Sequence, residues 1–496
     1  MKKSIIKKAA VSITAIAIAA GTAYYLLREE ILYRVWQPII TEYQFTPVGN
    51  PFLDYKMTGK FMSPDGQAVN VPGYYDGDNK WMIKFTPDKE GVWTYTVSMQ
   101  HGSGIAIDYP EVVQSLSGEI SSSVTVNNGC VITGDLIMMP GSSLSISPGA
   151  VIFIKNSAKI TSKGGSLNTA NAKFVPYGQE VGFHGHISTF NVWPADGDGF
   201  REAGRIVVDG RYFKTVGNNK RWLKGGSDGP ENFLAHPNRE QMIDELSSLK
   251  ANSLYILLNS IGGDGDDVWS FASYTDRIHY DTTKLKTWDV LFTLMQQKGI
   301  ACCFVLAESE AANKLSLNAW QRKLYFREMA ARFSYHPGLF WNLCEEYDQH
   351  QYPLSPTTIE TWSQQLRSFD AYKHPIGVHN WQEDAFVPFY TSSYIDWFSV
   401  QYRGENYFDW ITALKQHTTK PISLDETHHV SKEPMTGCIK YDWLWICSPE
   451  YIRDEVIKPA YAAGAAGVEI ITEEILGTSS FMPYATVFGY LYDARN

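Results

Sequence analysis

Residues 320–346 read WQRKLYFREMAARFSYHPGLFWNLCEE. The first half places apolar residues at helical spacing, and the second is a continuous apolar run that ends in two carboxylates. The reading is an amphipathic helix followed by a strand buried on both faces. The same couplet recurs in REQMIDELSSLKANSLYILLNS (239–260) and LKTWDVLFTLMQQKGIACCFVLAES (285–309). It recurs again in IETWSQQLRSFDAYKHPIGVHN (359–380), YFDWITALKQHTTKPISLDE (407–426) and YIRDEVIKPAYAAGAAGVEIITEE (451–474). With RWLKGGS (221–227) as a first strand and IDWFSVQY (395–402) as another, the series comes to eight strands. Such alternation predicts a parallel sheet, and eight repeats predict a closed (β/α)8 barrel of the TIM type over residues 205–496.

The chain ahead of the barrel reads differently. Residues 36–115 carry short alternating runs, punctuated at Pro64-Asp65-Gly66, Asp76-Gly77-Asp78 and Pro87-Asp88. That spacing predicts a β-sandwich. Residues 116–204 include ITGDLIMMPGSSLSISPGAVIFIKNSAKITSKGGSL (132–167), short β runs broken by Pro-Gly, Lys-Asn and Gly-Gly turns. This stretch is either a small β-solenoid-like insert of two or three rungs or a plain meander extending the sandwich.

In a barrel of this kind function sits at the C-terminal strand ends. Those ends carry Ser227 and Asp228; Asn259; Glu308 and Glu310; Glu345 and Glu346; His379 and Asn380; Gln401, Tyr402 and Arg403; Asp425 and Glu426; Glu473 and Glu474. So many carboxylates in one mouth repel one another, a cost that a scaffold alone does not require. Because side chains alternate along a strand, only one of Glu345 and Glu346 is expected to point directly into the mouth.

Two strand ends carry a resemblance. FWNLCEEYD (340–348) and KPISLDETHH (420–429) resemble the retaining glycoside hydrolases of the large barrel clan whose catalytic glutamates follow strands four and seven. The resemblance implies Glu346 as acid/base and Glu426 as nucleophile. The clan's usual Asn before the acid/base is replaced here by Glu345, which stands as a rival. Tyr402 resembles the clan's strand-six tyrosine that hydrogen-bonds the nucleophile. ITEYQF (40–45), NPFLDYKMTGKFMSPDG (50–66) and VPGYYDGDNKWMIKFTPDKEGVWTY (71–95) resemble the immunoglobulin-like domain that precedes many bacterial glycosidase barrels. The implied activity is hydrolysis of a poly- or oligosaccharide. An inverting glycosidase and a catalytically silent carbohydrate-binding envelope protein are the alternatives.

Other mouth residues are candidate sugar contacts: Asn259, His379, Asn380, Arg403, His428 and the tryptophans Trp269 and Trp381, with Trp443 and Trp445 nearby. For each, loop packing is the plainer alternative. Arg403 could meet an acidic or sulfated sugar. Asp264, Asp266 and Asp267 suggest a calcium loop, but the full EF-hand pattern is missing. No cysteine spacing resembles a zinc site, and nothing points to an organic cofactor.

The N-terminal segment, residues 1–35, joins a basic start (Lys2, Lys3, Lys7, Lys8) to an apolar run ending near Leu27. Its length fits an uncleaved membrane anchor or a cleaved signal peptide, and the lysines orient the rest of the chain outward. Cys438 and Cys447 flank a loop and could pair in an oxidising compartment, whereas Cys302, Cys303 and Cys344 lie in apolar runs. The net charge of −10, with no basic run beyond the N-terminus, argues against nucleic acid as a partner.

Overall fold

The computed structural model describes residues 32–108, 114–127, 129–148, 150–155, 158–169, 172–260, 268–308, 317–441, 444–474 and 478–496. Residues 1–31, where a targeting segment is expected, and Asp264, Asp266, Asp267, Glu310 and Trp443 lie outside the described residues. Among the described residues, no helix is long and apolar enough to cross a membrane.

Eight parallel strands close into a barrel: β1 (Lys224–Asp228), β2 (Ser253–Leu257), β3 (Ala301–Val305), β4 (Leu339–Asn342), β5 (Ile376–His379), β6 (Trp397–Gln401), β7 (Ile422–Glu426) and β8 (Gly467–Ile471). All are buried throughout, which is why most of them read as largely apolar runs. In β1 a Cβ on Gly226 would stand 1.8 Å from the Ser253 carbonyl oxygen, so only glycine lets β1 and β2 approach. The N-terminal end of the barrel is closed by a small antiparallel sheet, Ile206–Asp209, Tyr212–Thr215 and Lys220–Trp222. Its Ile206 and Phe213 pack with Phe340 and Trp397 of β4 and β6.

Ahead of the barrel, two sheets share a core of Met57, Phe61, Trp81, Phe85, Trp93 and Met99. The expected boundaries need correction here. Tyr33–Arg34, assigned above to the targeting segment, pairs in parallel with Val192–Trp193. The larger sheet is not complete at residue 115 either, because Ile187–Trp193 forms its antiparallel partner to Gly91–His101. Local pattern could not reveal pairing across so long a separation.

Between these strands stands a parallel stack. Gln114–Ile120, Gly129–Met138, Val151–Ile154 and Lys173–Pro176 form one face. Ser123–Val126, Ser143–Ile146 and Ser166–Asn168 form another. Val126, Ile132, Leu144 and Ile152 fill its interior.

Charged groups fix the two-sheet domain to the barrel helices. Lys84 meets Asp289, which also accepts from the Tyr335 hydroxyl at 2.9 Å. Arg332 joins Asp76 at 2.9 Å and Glu328 at 2.7 Å. Thr86 N–H donates to the Tyr372 hydroxyl at 2.9 Å.

Candidate functional site

The floor of the barrel mouth is ionic. Lys224 of β1 reaches Asp425 of β7 at 2.7 Å and Glu469 of β8 at 2.9 Å, and none of the three is exposed. Ser399 and Ser423 also donate to Asp425. Asp425 is therefore held in the floor by three neighbours.

Above it the pairing of β6 and β7 slips. Val400 lies opposite Leu424, but Gln401 lies opposite Glu426, so Asp425 is the extra residue of a bulge. A bulge re-aims the next side chain. Glu426 thus joins the mouth although Asp425 before it already points inward. Arg403 forms an ion pair with one Glu426 oxygen, and the Gln401 amide donates to the other. Burial works against the charge on Glu426. Even so, the Arg403 cation and the bonds donated by Arg403 and Gln401 hold its carboxyl below the usual range.

At the end of β4 the expected alternation of Glu345 and Glu346 does not hold. The strand ends at Asn342, and Glu346 sits in a turn at φ 44°, a left-handed conformation rare for such a residue. Both side chains reach the mouth. Glu346 accepts from Gln401 Nε2 at 2.9 Å, and its backbone N–H donates to His379 Nδ1 at 3.3 Å. Glu345 is buried, with no hydrogen-bond partner among the described residues for its Oε2. Burial, and then the carboxylates of Glu231, Asp228, Glu308 and Glu426, push its carboxyl well above the usual range.

The remaining candidates divide. His379 is buried, and burial lowers its pKa, so the ring is neutral. With Nδ1 accepting, its proton lies on Nε2, 3.9 Å from Glu426. Donor atoms of Glu345, His379 and Glu426 come within 4.8 Å of one another. The ring proton directed there and the Arg403 cation on Glu426 suit hydrogen-bonded substrate better than a metal. Asn259 alternates with Tyr255 and Leu257, both in the barrel interior, and neither of its amide atoms has a partner among the described residues. Trp381 is 40% exposed, beside His350. Its turn is pinned by Asp348, whose two oxygens accept from Trp381 N at 2.6 Å and Gln382 N at 2.9 Å.

Several expectations do not match the geometry. Tyr402 does not bond Glu426 through its hydroxyl: its ring stacks on Trp410 at 4.6 Å, because parity with Ser399 and Gln401 turns it out of the mouth. Gln401 takes that place. Asn380 is no sugar contact, since its amide is taken up by the backbone of Gln401 and Gln382. Trp269 packs under Lys284, 4.4 Å from its ring centre, on the helix Thr282–Gln297. His428 is buried against Trp445 and bonds the Arg403 carbonyl. Glu473 and Glu474 bind Lys432 instead of facing the cluster. Arg403 is engaged with Glu426.

Sequence reasoning places Gln401 at a strand end without a role and leaves Asp348 out of the site. His429 is buried, with no partner among the described residues on either nitrogen, and burial lowers its pKa to about 4 beside Glu426. The loop that follows is closed by a Cys438–Cys447 disulfide; Cys130, Cys302, Cys303 and Cys344 are buried thiols.

A family described as a domain of unknown function (DUF5060) matches residues 33–100, within the two-sheet domain. None of the curated proteins matches the chain. Among solved structures, a Bacteroides vulgatus ATCC 8482 protein named as a proposed glycoside hydrolase is 15% identical, with a TM-score of 0.62 over 88% of this chain and 72% of its own. A glycoside hydrolase family 5 protein of the same strain is 15% identical, with a TM-score of 0.44 over 57% of this chain and 66% of its own. A β-glucuronidase from Ruminococcus gnavus is 10% identical, with a TM-score of 0.37 over 88% and 58%. At these identities the first likeness bears on the fold, and the chain shares the barrel architecture of glycoside hydrolases.

Proposed function

We propose that this chain is a glycoside hydrolase that cleaves O-glycosidic bonds of an extracellular poly- or oligosaccharide with retention of configuration. Glu426 is the nucleophile and Glu346 the acid/base. The observation that carries this reading is the Gln401 amide, which donates to a carboxyl oxygen of both residues. Two oxygens bonded to one nitrogen lie about 6 Å apart at most. Retaining enzymes hold their carboxyls about 5–5.5 Å apart.

In this mechanism Glu346 protonates the glycosidic oxygen while ionised Glu426 attacks the anomeric carbon. The C–O bond breaks, the leaving sugar departs as an alcohol, and a glycosyl ester forms on Glu426. Glu346, now a carboxylate, takes a proton from water, whose oxygen attacks the same carbon and releases Glu426. Asn259 and the Nε2–H of His379 bind hydroxyls of the ring being cleaved, and Trp381 offers its exposed face to a neighbouring sugar. Export follows from the N-terminal segment, as a membrane anchor or a signal peptide, and a disulfide suits that compartment.

Glu345 is the second reading for the acid/base, favoured by its burial among carboxylates. Reducing-sugar release from a polysaccharide panel, with Glu426→Gln, Glu346→Gln and Glu345→Gln, separates the two. Loss of the acid/base leaves activity on aryl glycosides with good leaving groups, and azide restores turnover as a glycosyl azide of retained configuration. Glu346→Gln is expected to behave so. The same behaviour from Glu345→Gln transfers the role. A parent chain that binds a polymer in an affinity gel without cutting it would leave a carbohydrate-binding protein.

A further inference from the structure

Two carboxyl groups side by side repel whenever both are ionised, and long side chains in an open mouth would turn apart. Something must hold them at a working distance. The Gln401 amide has two N–H bonds, one for each carboxylate, and it does not titrate. Gln401 is itself clasped. Asn380 Oδ1 accepts from the Gln401 N–H at 2.9 Å, and Asn380 Nδ2 donates to the Gln401 carbonyl at 3.1 Å and the Gln382 carbonyl at 3.0 Å. Asn380 is fully buried, so this clasp does not compete with water. The β6–β7 bulge sets Gln401 level with Glu426.

We infer that Gln401 is a positioning residue that sets the spacing of the Glu346–Glu426 pair, and that Asn380 acts through it. The inference rests on the hydrolase reading above. Gln401 acts on the charged form of its partners, because an N–H donated to a carboxylate favours ionisation. Its donation is one of the causes that hold the Glu426 carboxyl low. The other charged or titratable groups facing Glu426 are Asp228, Glu345, Glu346, His379, Arg403 and His429. Gln401→Leu leaves all of them in place.

The experiment compares the full chain with Gln401→Leu, Gln401→Met, Asn380→Ala and Glu426→Gln. The pH profile of kcat/KM is followed on the polymer that the parent cuts, and circular dichroism checks folding. Removing the donor is expected to lower kcat/KM roughly 10- to 100-fold, the loss typical of a hydrogen bond to a charged group. It is also expected to move the acid limb up by about one pH unit. Asn380→Ala moves the limb the same way by less. Gln401→Met replaces Gln401→Leu if the latter does not fold. An inactive Glu426→Gln beside Gln401 variants with an unmoved acid limb would overturn the positioning role and leave the hydrolase reading standing. A fully active Glu426→Gln, or a parent without activity, would remove the hydrolase reading. The inference is then judged by carbodiimide labelling of Glu426 against pH, read by peptide mass spectrometry. Labelling that extends to higher pH in Gln401→Leu supports it, and unchanged labelling refutes it.

Discussion

Replacing Glu469 by glutamine tests the buried floor of the barrel. Glu469 and Asp425 share Lys224 without exposure to solvent. Burial pushes the Glu469 carboxyl up, against the pull of Lys224, from 4.5 to about 8. The folded state therefore binds this proton more tightly than the unfolded state. The group favours folding fully below its unfolded value of 4.5, and that contribution is lost as pH rises through about 8. The whole difference is worth about 5 kcal/mol at about 1.36 kcal/mol per pKa unit. About 4 kcal/mol of it falls between about pH 5 and about pH 9. Glutamine keeps the shape and an oxygen for Lys224 but cannot ionise. Denaturant unfolding of parent and Glu469→Gln, followed by tryptophan fluorescence near pH 5, 7 and 9, should show the parent losing about 4 kcal/mol more than the variant across that range. Parallel profiles, agreeing within about 1 kcal/mol, would mean that Lys224 keeps Glu469 ionised and that the reasoning from burial fails.

Glu345→Gln should raise the melting temperature near pH 8 more than near pH 5, because the Glu345 carboxyl is also held above its usual range and its contribution is lost as pH rises; scanning calorimetry at both values checks this. Lys84→Met strips the counter-charge from Asp289 between the two-sheet domain and the barrel, at a cost of about 3–5 kcal/mol, measurable by denaturant unfolding. Trp381→Ala should raise KM while changing kcat little, since it removes a stacking face away from the two glutamates; steady-state kinetics decides.

The barrel was legible because most of its strands, buried on both faces, are largely apolar runs alternating with amphipathic helices, and because the ends of β4 and β7 keep their glutamates in recognisable surroundings. Gln401 was not, because strand parity is invisible without register. The neighbouring Tyr402 looked like the better hydrogen-bond donor, and only the bulge at Asp425 shows which of the two faces Glu426. Asn380 misled for a related reason: an amide at a strand end looks available until its partners, supplied by a different strand, are seen. The two-sheet domain escaped correct delimitation because Ile187–Trp193 carries no local sign that its partner is Gly91–His101.

That last arrangement bears on how the chain is made. Tyr33–Arg34 leaves the ribosome long before Val192–Trp193, the segment it pairs with. Until then the larger sheet lacks a strand, and the edge at Gly91–His101 offers unpaired N–H and C=O groups to any passing strand. A chain cut short before residue 187 would keep that open edge for good. Such fragments are expected to aggregate, and a cell making this protein has reason to hold the nascent chain apart until the stack has been synthesised.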